Sequence, residues 1–158
     1  MKKLLFYCQH ILGMGHLVRS MEFVRGFMSD FQVCFINGGQ IIKEFEIPDG
    51  VDVINLPAIK TDSEFKQLKP VDESLSLAEV QELRKNKLLQ IAEEFQPDVL
   101  IIGLFPFGRG KFSFELIPFL EKLQDSKKPV KIVSSLRDIV VTKTNQEKYE
   151  NKVCRLMN

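Results

Sequence analysis

The chain has 158 residues, enough for one domain with a sizeable core, because a domain of this length buries roughly 70% of the surface its unfolded chain exposes. With 44% hydrophobic residues, 27% charged residues and a formal net charge of +1, its composition excludes a disordered chain and gives no basis for electrostatic capture of nucleic acid. The longest apolar run, Val99 to Phe107, is broken by Gly103 and Pro106 and falls far short of the ~20 residues of a membrane-spanning helix.

Leu4 to Cys8 is a compact apolar run directly before a glycine-bearing turn, and from His16 to Met28 the spacing becomes helical, with Leu17, Met21, Val24 and Met28 on one face. A strand, a tight loop and a helix are therefore expected. Phe31 to Ile36 reads as a second buried strand closed by Asn37-Gly38-Gly39, and Val51 to Leu56 as a third closed by Pro57, with a short helix expected over Gln40 to Glu46. Thr61 to Ser74 is polar and without period, so a long loop is expected there. Ser76 and Glu79 have capping-box spacing, and Val80, Leu83, Ile91 and Phe95 then share a face, predicting a helix that runs to about Gln96 and ends at Pro97.

Asp98 to Ile102 is the fourth predicted strand and leads into the loop Gly103 to Gly110. A helix from about Ser113 to Gln124 follows, with Pro118 weakening its middle. Val130 to Ser134 is the fifth strand, and Asn145 to Leu156 reads as a polar terminal helix. Strands alternating with helices predict an α/β fold, a Rossmann-like, doubly wound, mostly parallel sheet of five or more strands covered on both faces. In such sheets ligands bind beyond the carboxyl ends of the strands, where the strand order reverses. The loops starting at Gln9, Asn37, Gly103 and Ser135 are the ones placed there.

Cys8 and Cys34 lie inside strand-like runs, where a reduced thiol acts as a small hydrophobe, so a reducing, cytoplasmic setting is expected. Lys2-Lys3 followed by Leu4 to Tyr7 imitates a signal peptide, but the apolar run stops at Gln9-His10 with no small-residue cleavage site. The spacing of His, Cys, Asp and Glu shows no metal-ligand cluster.

Gly13 and Gly15 remove side chains where the chain turns into a helix, leaving backbone N–H groups and the positive end of the helix dipole facing outward. This suits a phosphate or a developing oxyanion; a turn that merely needs φ > 0 is the plainer reading. Val18 and Asn37 stand where a dinucleotide fingerprint wants a third glycine and an acidic residue, so NAD binding is disfavoured. No glycine loop carries Gly-Lys-Ser/Thr, so phosphoryl transfer from ATP is disfavoured too. His16 falls in the first helical turn, where the dipole penalises its protonated form and leaves a ring able to accept a proton. A general base and a histidine bonded to a neighbouring backbone group both fit that position, whereas His10 reads as structural or solvent-facing. Arg109, between Gly108 and Gly110, is either a fork for an acceptor phosphate or carboxylate or a solvated loop arginine; Arg137 and Asp138 either pair with each other or contact the acceptor.

The run Phe6 to Ser20, with Gly13-Met14-Gly15-His16 at its centre, resembles the opening of MurG-like and related glycosyltransferases of the GT-B type. Asn37-Gly38-Gly39, the stretch Pro97 to Ile102 and Ser135 to Ile139 extend the likeness along the chain. The resemblance implies that residues 1–158 form a single Rossmann-like N-terminal, acceptor-side domain, with the C-terminal donor-binding domain absent. It implies His16 as catalytic residue and Gly13 and Gly15 as lining the cleft; with the loops at the ligand edge, the expected substrate-binding set is Gly13, Met14, Gly15, Asn37, Gly38, Gly39, Arg109, Ser135, Arg137 and Asp138. The implied reaction moves a sugar from a nucleotide-sugar, held mainly by the other domain, to the hydroxyl of a sugar or lipid-linked acceptor, with no further cofactor. A donor-domain protein is then an expected partner, and peripheral membrane contact accompanies a lipid acceptor. A noncatalytic binding module, a truncated fragment and half of a nucleotide-sugar epimerase are the alternatives.

Overall fold

The computed structural model describes residues 1–11, 13–64, 66–136 and 146–158. Along the chain run β1 (Lys2–Cys8), α1 (Gly15–Phe27), β2 (Phe31–Asn37), β3 (Asp52–Asn55), β4 (Ile59–Thr61), β5 (Leu68–Pro70), α2 (Leu77–Phe95), β6 (Val99–Gly103), α3 (Ser113–Gln124), β7 (Lys131–Ser135) and α4 (Gln146–Met157). Five of the strands form one parallel sheet in the order β3-β2-β1-β6-β7. The chain builds outward from β1 through β2 to β3, then crosses back to lay β6 on the other side of β1. The order therefore reverses between β1 and β6, and the crevice opens beyond Cys8 and Gly103.

The period of two along β1 divides the core. Leu4, Phe6 and Cys8 face α1, where Leu17, Met21 and Val24 cover them, while Leu5 and Tyr7 face α2 and α3, where Leu88, Ile91, Leu116 and Phe119 lie. The expected fold class is the observed one. Ser76 caps α2 as its spacing predicts: its side chain accepts from the Glu79 N–H at 3.2 Å, and the Glu79 carboxylate accepts from the Ser76 N–H at 2.7 Å. Replacing Ser76 by alanine should cost about 1 kcal/mol in urea unfolding, the usual loss for such a cap. Gln96 closes α2 in the left-handed region at φ 50°, directly before Pro97.

Four expectations need correction. Gln40 to Glu46 is not a helix; it is irregular, with one turn closed by Phe45 N–H donating to the Ile42 carbonyl at 3.1 Å. Gly38-Gly39 before it and Pro48 after it leave too few residues to propagate a helix nucleus. The polar stretch after Ile59 is not all loop, because β4 and β5 pair antiparallel, Ile59 opposite Pro70 and Thr61 opposite Leu68, as a small separate sheet. Its signal is a single alternation around Ile59 and Leu68, too short to show as a period. Leu83 is not on the core face of α2: it is exposed, and the buried stripe is Val80, Arg84, Leu88, Ile91 and Ala92. Pro118 does not interrupt α3, whose buried Leu116, Phe119 and Leu123 anchor both of its halves. No helix among the described residues is long and apolar enough to cross a membrane.

Candidate functional site

Gly13 has φ +72°, a conformation that side chains rarely adopt, and a Cβ at Gly13 or Gly15 would meet nothing within 4 Å. The first of these glycines is needed for the turn and the second lies open. Met14 occupies the N-cap of α1 without a side-chain capping bond, is 43% exposed, and no acidic residue stands in the first turn. The helix thus presents its amino end to the rim without a carboxylate to neutralise it.

His16 follows directly. Its ring lies over Gly103, the last residue of β6: a Cβ there would stand 2.6 Å from Nε2 and 2.7 Å from Cε1. The histidine is half-buried, and both ring nitrogens are shielded from solvent. Ser135 pairs with Gly103 in the sheet, and its carbonyl accepts the Leu104 N–H at 2.9 Å. The fold thus gathers Gly13, Met14, Gly15, His16, Gly103 and Ser135 at the reversal point of the sheet. Arg137 and Asp138 lie outside the described residues.

Arg109 reaches across the crevice. It sits at φ 59°, and its Nε donates to the Gln9 carbonyl at 2.8 Å, tying the loop after β6 to the loop after β1. Asn37, Gly38 and Gly39 are buried and bonded inwards: Gly38 N–H donates to the Cys8 carbonyl at 2.9 Å, Gly39 N–H to Asn37 Oδ1 at 3.2 Å, and Asn37 Nδ2 to Asn55 Oδ1 at 3.0 Å. They form the wall beyond β2 and offer it backbone surface. Burial pushes the Cys8 thiol up to about 11, so it stays protonated and is no nucleophile near neutral pH.

His10 is buried, not solvent-facing, with its ring packed on Gly39, where a Cβ would stand 2.5 Å from Cδ2 and Nε2. Burial, and to a lesser degree the charge of Arg109, lower its pKa below the ordinary 6.5, against hydrogen bonds to the Gln40 backbone and the Asn37 side chain that favour the charged ring. Between the folded value and 6.5 the unfolded chain binds more protons, so the stability that His10 confers is complete above 6.5 and is lost as pH falls through the folded value. Urea unfolding at about pH 7.5 and about pH 5 should show a smaller loss on acidification for His10→Gln than for the native chain.

Behind the wall lies a cluster that periodicity does not single out. Arg84 and Glu115 are both fully buried and joined by two bonds of 2.7 Å, Nε to Oε2 and Nη2 to Oε1. Tyr7 donates its hydroxyl to the same Glu115 Oε1 at 2.5 Å. Burial first, and then the Glu115 carboxylate, raise the Tyr7 phenol well above its ordinary value, which keeps it a neutral donor. Burial works against the Arg84 charge, but the bonds and charge of Glu115 outweigh it and hold the guanidinium above its ordinary value. The available signal was a lone arginine in the apolar stripe Val80-Arg84-Leu88-Ile91 and a lone glutamate beside Leu116 and Phe119. A charge at such a place needs a buried partner of opposite sign.

A cleft of about 290 Å³ under α4, lined by Ile102, Phe105, Leu120, Ile132, Arg155 and Leu156, lies on the sheet face away from α1, and one of about 660 Å³ lies between the carboxyl ends of α2 and α3. Neither is lined by His16 or by Gly13, Met14 and Gly15. Among the described residues no three His, Cys, Asp or Glu side chains gather to hold a metal ion.

Fold and rim together define a Rossmann-like α/β domain with a histidine at the switch point of its sheet. Among solved structures it matches Phytolacca americana UGT2, both apo (21% identity, TM-score 0.46) and complexed with UDP-2fluoro-glucose and pterostilbene (22%, 0.45), over 72% of this chain in each case. It also matches CalG4, the calicheamicin glycosyltransferase, at 14% identity and a TM-score of 0.46 over 96% of this chain. The chain spans 27%, 28% and 37% of the length of those three chains. No protein-family model and no curated protein matches it.

Proposed function

We propose that this chain is the acceptor-side half of a GT-B glycosyltransferase and that His16 is its general base. The observation that carries the reading is the seat of the imidazole on Gly103, at the point where β1 and β6 part, beside the uncapped start of α1. Seated there, the ring nitrogen that carries no proton can take one from an acceptor hydroxyl brought against it. In the proposed reaction the acceptor hydroxyl gives its proton to His16 and its oxygen forms a bond to the anomeric carbon. The bond from that carbon to the phosphate oxygen of a nucleotide-sugar breaks, and the nucleoside diphosphate leaves. Gly13 and Gly15 keep the loop open for the acceptor, and the amino end of α1 favours negative charge building up nearby. Met14, Arg109 and Ser135 are assigned to acceptor contacts, with Arg137 and Asp138 as further candidates, while Asn37, Gly38 and Gly39 shape the wall.

The donor would be held by a second domain, supplied by a longer form of the chain or by a partner protein. Sugar-nucleotide turnover, measured with and without a protein supplying a donor-binding domain, is expected only in the combined system. Turnover by residues 1–158 alone at the same rate would contradict the division of labour. A noncatalytic binding module is the second reading, favoured by the shielding of both His16 nitrogens; binding of an acceptor without turnover in the combined system would select it.

A further inference from the structure

We infer that Arg84 is a positioning residue, whose guanidinium fixes the loops after β1, β2 and β3 against one another and so sets the shape of the crevice wall. A guanidinium has five N–H donors, and all five are used here. Two go to Glu115; Nη1 donates to the Gly38 carbonyl at 2.7 Å and to the Pro57 carbonyl at 2.9 Å; Nη2 also donates to Gln9 Oε1 at 2.6 Å. Gln9 follows β1, Gly38 follows β2 and Pro57 lies just beyond β3, so one side chain from α2 touches the outgoing loop of each of three neighbouring strands. Gln9 passes the constraint on: its Nε2 donates to the His10 carbonyl at 3.0 Å, and its own carbonyl holds Arg109. The loop has closed onto the guanidinium so tightly that a Cβ at Gly38 would collide with Gln9 Oε1 and stand 2.8 Å from Arg84 Nη2.

Burial of an ion pair is no strong source of stability, since apolar replacements of similar volume often serve as well. What an apolar side chain cannot do is bind three carbonyl-type oxygens on separate loops in fixed directions. That difference is the reason to assign Arg84 a role in geometry. The inference matters for function only if the rim is the site proposed above, but it is tested without turnover or ligand, so either idea can fail alone.

The test compares the native chain with Arg84→Lys, which keeps the cation but has only three donors, and with the double variant Arg84→Met/Glu115→Leu, which removes both charges. In native-state hydrogen exchange, the Gly38 and Gly39 amides of either folded variant should exchange at least about tenfold faster, while amides in the middle of β1 and β6 keep their protection. In parallel, the ring resonances of His10 should titrate closer to the ordinary 6.5, because the Gly39 wall over that ring has loosened. The groups facing His10 are Asn37, the Gln40 backbone and Arg109, none of which is changed. Unaltered Gly38 and Gly39 exchange together with an unaltered His10 titration would overturn the inference, whatever the melting temperature. Failure of both variants to fold would overturn it as well, making Arg84 a determinant of the core and not of the rim.

Discussion

Replacing Glu115 alone by leucine is expected to cost about 3–5 kcal/mol, because it strands the Arg84 charge in a fully buried position. The Arg84→Met/Glu115→Leu double variant should recover most of that loss. Gly38, Pro57 and Gln9 still accept hydrogen bonds from Arg84 in the single variant, but none of them carries a compensating charge. Thermal unfolding of the two variants and of Arg84→Met completes a double-mutant cycle whose coupling should be large and favourable. Equal loss in the single and double variants would mean that the volume of Glu115, packed with Leu116 and Phe119 at one end of α3, matters more than its charge.

The second large effect concerns the imidazole and its seat. A methyl group at position 103 would meet His16 Nε2 at 2.6 Å and Cε1 at 2.7 Å, so Gly103→Ala must drive the ring off β6. The atoms it meets are the far end of the His16 side chain, so the ring swings aside at little cost in stability. Displacing a catalytic group by about 1 Å costs on the order of 100-fold in rate. The proposed role of His16 therefore predicts that Gly103→Ala loses far more turnover in the combined system than its stability change explains. Retained turnover would mean that the ring does not act from this seat.

Much of this architecture was legible in the sequence because burial and periodicity agreed. Strand segments such as Leu4 to Cys8 and Val33 to Ile36 are continuous apolar runs, as expected for parallel strands covered on both faces, and Ser76 with Glu79 declares the start of α2. Local pattern misleads in the segments where a few tertiary contacts overrule it. Gln40 to Glu46 has helix formers but too little length, and the β4–β5 pair has three residues on each side. Leu83 and Arg84 mislead for the same reason: apolar character ordinarily marks the buried face, whereas one turn of α2 buries a cation because α3 brings a carboxylate to it.

At the rim, the glycine turn was visible in Gly13 and Gly15, but its consequences lay in other strands. Gly103, which gives His16 its place, stands 87 positions further along and announces nothing by itself. Leu104 and Arg109 adopt positive φ without being glycines, so the shape of the loop after β6 left no compositional trace. The inward bonding of Asn37, Gly38 and Gly39 follows from Arg84, Cys8 and Asn55, a set that only the fold assembles.

The most direct measurement is sugar transfer by His16→Ala beside the native chain, each combined with the donor-binding domain, with unfolding followed on the same samples. A general base seated on Gly103 predicts turnover lowered by about 10²–10⁴-fold at nearly unchanged stability. Equal turnover in the two proteins would contradict it.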